Sequence, residues 1–373
     1  MVTPFDDAYA RVIVEHSLDV RPGQRVLIEG AEGGASLARA VAERVQRAGA
    51  LAIVRIVPDD LAELRATFAS DEVLGEPDPL SLILNREVDA RVALLAEANL
   101  RALGHLPAAR AALAGRSRAR SSQPLLARAA RGEARWVVAQ VPLQSYADAA
   151  GLSLDAYRAL LLRGLRLDEA DPIAAWRRVG ERQAALVMLL EQSDELRLVA
   201  PGTDLRMTIG GRRWLSSYGL RNLPDGEVFT GPHEDSAEGV ITFGLPTSYA
   251  GRRVEGARLR FEAGLCVEAR AEVGDEVLQA ALAVDQGARR LGEVALGLNR
   301  GIDRPTGDIL LSEKIGGTAH LALGRSYPES GGSNVSDIHW DLVCDLREGG
   351  EVYADGRLIQ RDGQFVRKLG IDL

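Results

Sequence analysis

Arg25-Val26-Leu27-Ile28-Glu29, the turn Gly30-Ala31-Glu32-Gly33-Gly34, the alanine-rich run 35–48 and the apolar segment 51–57 read as strand, turn, helix and strand. A strand joined to the next strand through a helix favours parallel pairing, because the crossover returns the chain to the same end of the sheet. Working outward, residues 5–18 place Tyr9, Val12, Ile13 and Leu18 at close to helical spacing before Val20-Arg21-Pro22-Gly23 breaks the pattern. The strand texture returns at 90–95 and 136–140. The longest helical pattern, 171–192, carries Ala174, Trp176, Val179, Ala184, Leu186, Leu189 and Leu190 as an apolar stripe after an Asp-Pro start, and is expected to bridge two domains. Residues 1–193 are therefore expected to form an α/β domain with a mostly parallel sheet.

Past Ser193-Asp194 the texture changes. Leu196-Arg197-Leu198-Val199, Leu205-Arg206-Met207-Thr208-Ile209 and Ala257-Arg258-Leu259-Arg260-Phe261 alternate with a period of two, the mark of antiparallel strands with one wet face. One helix, expected over 276–290, interrupts them. Residues 194–373 are thus expected to form an α+β metal-binding domain with mainly antiparallel strands.

A length of 373 residues, 46% of them hydrophobic and 26% charged, suits a soluble two-domain protein with large cores. The formal net charge of −8 excludes a concentrated basic face for nucleic acid, and Arg116-Ser117-Arg118-Ala119-Arg120 reads as a solvated segment. Gly30, Gly33 and Gly34 match neither G-x-G-x-x-G nor a Walker loop, and lysine occurs only at positions 314 and 368, so an ordinary strand-to-helix turn is the reading there. Cys266 and Cys344, the only cysteines, read as buried reduced thiols. No secretory pattern opens the chain and no stretch is apolar enough to span a bilayer, so neither a membrane nor a secreted context is expected and the cytoplasm is the expected compartment.

Scarce ligand types gather in the last third. His339 and Asp341 lie one residue apart in a strand-like run, so both leave the same face. Glu293, placed at the end of the 276–290 helix, and His320 are lone polar side chains among small and apolar neighbours, and Glu227 follows the turn Pro224-Asp225-Gly226. A carboxylate in such company is costly unless paired or coordinated. Three carboxylates and two imidazoles suit zinc, cobalt or manganese, and five ligands suit two ions sharing a carboxylate. On the residues alone, a metal site and a set of buried ion pairs both remain open. His16 and His105 have no second ligand at useful spacing and read as structural or solvent-facing.

The ordered blocks Asn222–Thr230, Leu291–Leu296, His320–Pro328 and Asn334–Asp341 resemble those of the thermophilic-type dinuclear metallo-aminopeptidases, the aminopeptidase T and S family. The resemblance covers most of the chain and is sharpest in these four blocks. It implies a hydrolase that removes the N-terminal residue from small peptides through two divalent ions per chain. One ion would be held by Glu227, Glu293 and Asp341, the other by Glu293, His320 and His339, with Glu293 bridging and a hydroxide between the ions. Tyr327 would sit beside the metals as a hydrogen-bond donor to the oxyanion or as a proton donor, with a core tyrosine before a turn as its structural alternative. Glu313 resembles the acidic residue preceding the family's histidine, as a general base or ammonium-binding group, although Lys314-Ile315-Gly316-Gly317-Thr318-Ala319 departs from the family pattern and leaves a surface ion pair with Lys314 open. His233, close to Glu227 in sequence, is a candidate sixth ligand that the family does not require, and it reads as part of a loop near the cleft. The family further implies a homodimer. Two other functions share these residues: a mononuclear non-haem iron dioxygenase using His320, His339 and Asp341, and a non-catalytic peptide-binding relative.

Overall fold

The computed structural model describes residues 2–100, 102 and 106–371; His105 lies outside them. The chain divides into two compact units, Met1–Ala174 with Gly219–Pro224, and Ala175–Tyr218 with Asp225–Leu373.

The first unit is built on the parallel sheet its sequence predicts. The strand order is Leu51–Val57, Arg25–Ala31, Ala90–Leu95, Arg135–Gln140 and the short Asn222–Leu223, with every neighbouring pair parallel. Val26, Leu27 and Ile28 are fully buried, as a central strand with covered faces requires. Helix Ala35–Arg47 buries Leu37, Ala38, Val41 and Val45. Gly30 is glycine for packing, since a Cβ there would stand 2.8 Å from Leu94 Cβ on the adjacent strand. The first helix, Pro4–Arg11, starts at a reciprocal cap between Thr3 and Asp6 and runs into a one-turn π helix, Val12–Ser17, where His16 is buried. Arg116, Arg118 and Arg120 face solvent from helix Ala108–Ala130.

The second unit holds two larger antiparallel sheets. Eight strands run in the order Leu265–Arg270, Ala257–Glu262, Glu238–Phe243, Thr203–Thr208, Glu195–Ala200, Glu351–Ala354, Arg357–Arg361 and Gln364–Phe365. Five more run His339–Asp345, Thr318–Gly324, Leu291–Gly297, Glu227–Thr230 and Leu215–Ser217. Both sheets send alternate residues into one core: Leu196, Leu198, Leu205, Met207, Ile241 and Phe243 from the first, Val294, Leu296, Leu321, Leu323, Trp340 and Leu342 from the second.

One expected element differs. The helix placed over 276–290 is confined to Asp275–Leu282, followed by a 3-10 turn at Gly287–Arg289. Asp285 is the cause: its carboxylate accepts from the Ala288 backbone N–H at 2.8 Å and from Ser336 Oγ and the Asp337 N–H, bonds that compete with continued helix. Glu293 consequently sits inside a central strand and not at a helix end.

Candidate metal centre

Strand alternation builds the site. On the Leu291–Gly297, Thr318–Gly324 and His339–Asp345 strands, the residues between the core-facing ones put Glu293, His320, His339 and Asp341 on the opposite face. Glu227 opens the neighbouring strand on that same face, its successor Val228 being in the core. Each candidate stands across from a small residue. Glu227 pairs with Gly297, His320 with Ala295, His339 with Gly324, and Glu293 and Asp341 both with Ala322, which lies between them. Small partners leave the longer side chains room to converge.

They converge closely. His320 Nε2 is 3.2 Å from Glu227 Oε2 and 3.2 Å from Glu293 Oε1. His339 Nε2 is 3.6 Å from Glu293 Oε2 and 3.5 Å from Asp341 Oδ2. Glu227, Glu293 and His320 form one set of potential ligand atoms within 4.8 Å of one another; Glu293, His339 and Asp341 form a second, and Glu313, His320 and Asp341 a third. His320 thus groups with Glu227, and His339 with Asp341, a different division from the one the resemblance implies. Glu293 belongs to both of the first two sets.

The electrostatics describe a cation site. Burial pushes the Glu293 carboxyl above the usual range, against the pull of His320 and His339 and with Asp341 adding to the rise. Burial opposes charge on the imidazoles, yet the surrounding carboxylates hold His320 up at about 9 and His339 at about 10. Burial works against the Asp341 charge too, but His339 and His320 bring its carboxyl down to about 2. A field that keeps positive charge on the buried His320 and the half-buried His339 favours divalent cations in place of those protons. Glu227 Oε2 and Asp341 Oδ1 are buried acceptors with no hydrogen-bond donor among the described residues, a costly state that coordination would relieve. The donor set of oxygens and nitrogens without thiolate fits a divalent ion with open positions.

The remaining residues surround this face. Glu313 follows the short helix Ile309–Ser312, and its Oε1 accepts from Lys314 Nζ at 2.7 Å. Burial pushes the Glu313 carboxyl up to about 8, opposed by Lys314 and reinforced by Asp341 and Glu227. The Tyr327 ring lies edge-on to His339 at 5.0 Å and to Phe229 at 5.5 Å, and the residue is 43% exposed. Desolvation and the carboxylates of Glu293, Asp341 and Glu313 keep its phenol protonated well past its ordinary range. His233 stands apart, its Nε2 2.9 Å from the Gly210 carbonyl oxygen.

Two contributions escaped the sequence reading. The contact of Lys314 with Glu227 is the first: Lys314 is 1% exposed, with Nζ 2.5 Å from Glu227 Oε1 as well as beside Glu313, so the ion pair left open as a surface contact is present but buried. Burial would lower its pKa, but Glu227, Glu313 and Asp225 together raise it well above the ordinary lysine value. Its rarity was the available signal: lysine supplies two of the chain's 45 basic Lys and Arg residues. Asn299 is the second, donating from Nδ2 to the Asp225 carbonyl at 2.6 Å and from its backbone N–H to the Lys314 carbonyl at 2.9 Å. Gly226, at φ +127°, packs against Asn299 in this turn, where a Cβ would come within 2.9 Å of Asn299 Cβ.

A cavity of about 370 Å³ in the first unit is lined by Glu29, Arg55, Asp78, Asn85 and Arg91, and holds none of these residues. Arg55 pairs there with Asp78 at 2.7 Å and Arg91 with Glu29.

The sequence matches the thermophilic metalloprotease (M29) family profile over residues 6–365. The chain belongs to this family and is a metal-dependent hydrolase. It is 32% identical to aminopeptidase T of Thermus thermophilus, across 96% of this chain and 97% of that protein. It is 30% identical to aminopeptidase 2 of Geobacillus stearothermophilus, across 97% and 98% respectively. The solved structure of wild-type AmpT from Thermus thermophilus superimposes with a TM-score of 0.85 at 29% identity, covering 97% of this chain and 99% of that one, so the two share a fold.

Proposed function

We propose that this chain is an aminopeptidase that cleaves the N-terminal peptide bond of small peptides at a dinuclear centre. Glu227, Glu293 and His320 would hold one ion and Glu293, His339 and Asp341 the other. One observation carries the dinuclear reading: the two oxygens of Glu293 address different histidines, Oε1 toward His320 and Oε2 toward His339. A single ion does not require a carboxylate shared in this way.

When bound, two divalent ions, zinc, cobalt or manganese, would be held by Glu227, Glu293, His320, His339 and Asp341 and would supply a hydroxide nucleophile and polarise the scissile carbonyl. The chain's own groups do the rest. Glu313, its carboxyl pushed well above the usual range by burial beside the ligand cluster, accepts a proton and delivers it to the departing amine. Tyr327, protonated throughout the working range, donates its hydroxyl hydrogen to the developing oxyanion. Lys314 keeps Glu313 beside His320 and Asp341. The enzyme is proposed to work as a cytoplasmic homodimer, which sedimentation of the purified protein would check.

Metal analysis paired with aminoacyl-anilide hydrolysis tests the function. Two ions per chain are expected, with hydrolysis abolished by chelation and restored by zinc, cobalt or manganese. One iron per chain with no hydrolysis would sink the peptidase reading and favour the mononuclear dioxygenase.

A further inference from the structure

The two proposed ion positions are unequal, and the difference is Lys314. Its ammonium is buried to 1% exposure and held between Glu227 Oε1 at 2.5 Å and Glu313 Oε1 at 2.7 Å. Burying an ammonium is expensive and is tolerated only with close anionic partners. Here one partner is a proposed metal ligand and the other the proposed proton carrier. The placement is enforced by the backbone. Asn299 ties the Lys314 carbonyl to the Asp225 carbonyl, so the segment carrying the ammonium and the turn carrying Glu227 are fixed to one residue.

Two consequences follow for Glu227. Its Oε1 is committed to the ammonium, which leaves Oε2, on the His320 side, as the oxygen able to reach an ion. The fixed positive charge also repels any second cation on that side, at a range where such repulsion in a buried site is strong. The other set differs: the His339 and Asp341 side chains reach Glu293 Oε2, and no lysine or arginine pairs with either Asp341 or Glu293 among the described residues.

We infer that Lys314 sets the affinity of the ion held by Glu227, Glu293 and His320, making it the weaker and exchangeable one of the two. Lys314 is a positioning residue: it limits Glu227 to one-oxygen ligation and offsets one negative charge. This inference rests on the dinuclear reading above.

Calorimetric titration of the full chain, freed of metal by chelation and dialysis, tests it with Zn²⁺ or Co²⁺ as the probe. The unaltered protein is expected to bind two ions in steps separated at least tenfold. Lys314→Met should tighten the weaker step at least tenfold while moving the tighter one less than threefold. Lys314→Arg, which keeps the charge, should preserve the separation. Two ions of equal affinity in the unaltered protein, with hydrolysis intact, overturn the inference and leave the proposed function standing; no binding of either ion sinks both. A Lys314→Met protein that melts like the unaltered one in saturating metal, yet shows an unchanged or weakened second step, also overturns it. Should that variant not fold, Lys314→Gln, which removes the charge but keeps a hydrogen-bond donor for Glu227 and Glu313, is read by the same two outcomes.

Discussion

His339 Nδ1 lies 2.7 Å from the carbonyl oxygen of Arg325. A carbonyl only accepts, so Nδ1 carries the proton and Nε2, which faces Glu293 and Asp341, is the nitrogen offered to a metal. The ring is thus oriented for coordination before any ion arrives. His339→Ala removes one member of a single ligand set. Metal content is expected to fall from two ions to one per chain, and hydrolysis by more than about 100-fold, beyond what loss of an outer-shell partner costs. Two retained ions would take His339 out of the centre.

Glu293→Gln should behave differently, because Glu293 belongs to both sets. The amide keeps the shape but loses the charge and one acceptor oxygen. Elemental analysis is expected to find fewer than one ion per chain, against one ion in Glu227→Gln. Equal metal content in the two variants would show that Glu293 does not bridge.

The parallel sheet of the first unit was legible because its signal is local. Strands 25–31 and 51–57 are apolar runs bounded by turn residues, and the 35–47 helix between them leaves few alternatives. Glu293 was placed on the wrong element for the converse reason. Val294, Ala295 and Leu296 form a central strand buried on both faces, so they show no alternation and read as readily as helix. The candidate ligands could be named from residue type and from four ordered blocks, but not their grouping. That depends on register, such as Ala322 lying opposite both Glu293 and Asp341, and register is a property of the folded sheet. The Lys314 contact with Glu227 and the role of Asn299 were missed because those partners lie 87 and 74 residues away.

Ala322 provides a test of that register. It is fully buried, with Glu293 and Asp341 opposite it on the two neighbouring strands, so a branched side chain there is expected to crowd them. Ala322→Val is expected to cost about 1–3 kcal/mol of stability through overpacking. Thermal melts in excess metal should show this loss, and titration should show weaker binding of the ion shared by Glu293 and Asp341. A variant that loses stability while binding both ions normally would mean the carboxylates do not depend on this gap.

Asn299→Ala removes the Nδ2 donor to the Asp225 carbonyl, and loss of such a hydrogen bond costs about 0.5–1.5 kcal/mol. The backbone bond from Asn299 to the Lys314 carbonyl survives the substitution, but the side-chain link from that segment to the turn carrying Glu227 is cut, so the effect should not be confined to stability. Metal titration is expected to show a change at the Glu227 set and little at the His339 set. A uniform change in both would point to general loosening of the sheet.

The two cysteines supply a pH test away from the centre. Burial raises the Cys266 thiol to about 11 and the Cys344 thiol to about 12. Both are neutral thiols at pH 8, and since the thiolate is the reactive form, native protein should not react with a disulfide reagent there until denaturant exposes both. The stability consequence has a definite sign. A folded-state pKa above the unfolded value favours folding fully below the unfolded thiol pKa near 9, and that contribution is lost as pH rises toward 11 and 12. The melting temperature should therefore fall between about pH 9 and pH 12, as ionised thiols favour the unfolded chain. Tyrosines titrate in the same window, so the decisive comparison is with the Cys266→Ala/Cys344→Ala double variant, whose alkaline decline should be shallower. Parallel declines in the two proteins would show that the thiols contribute nothing to it.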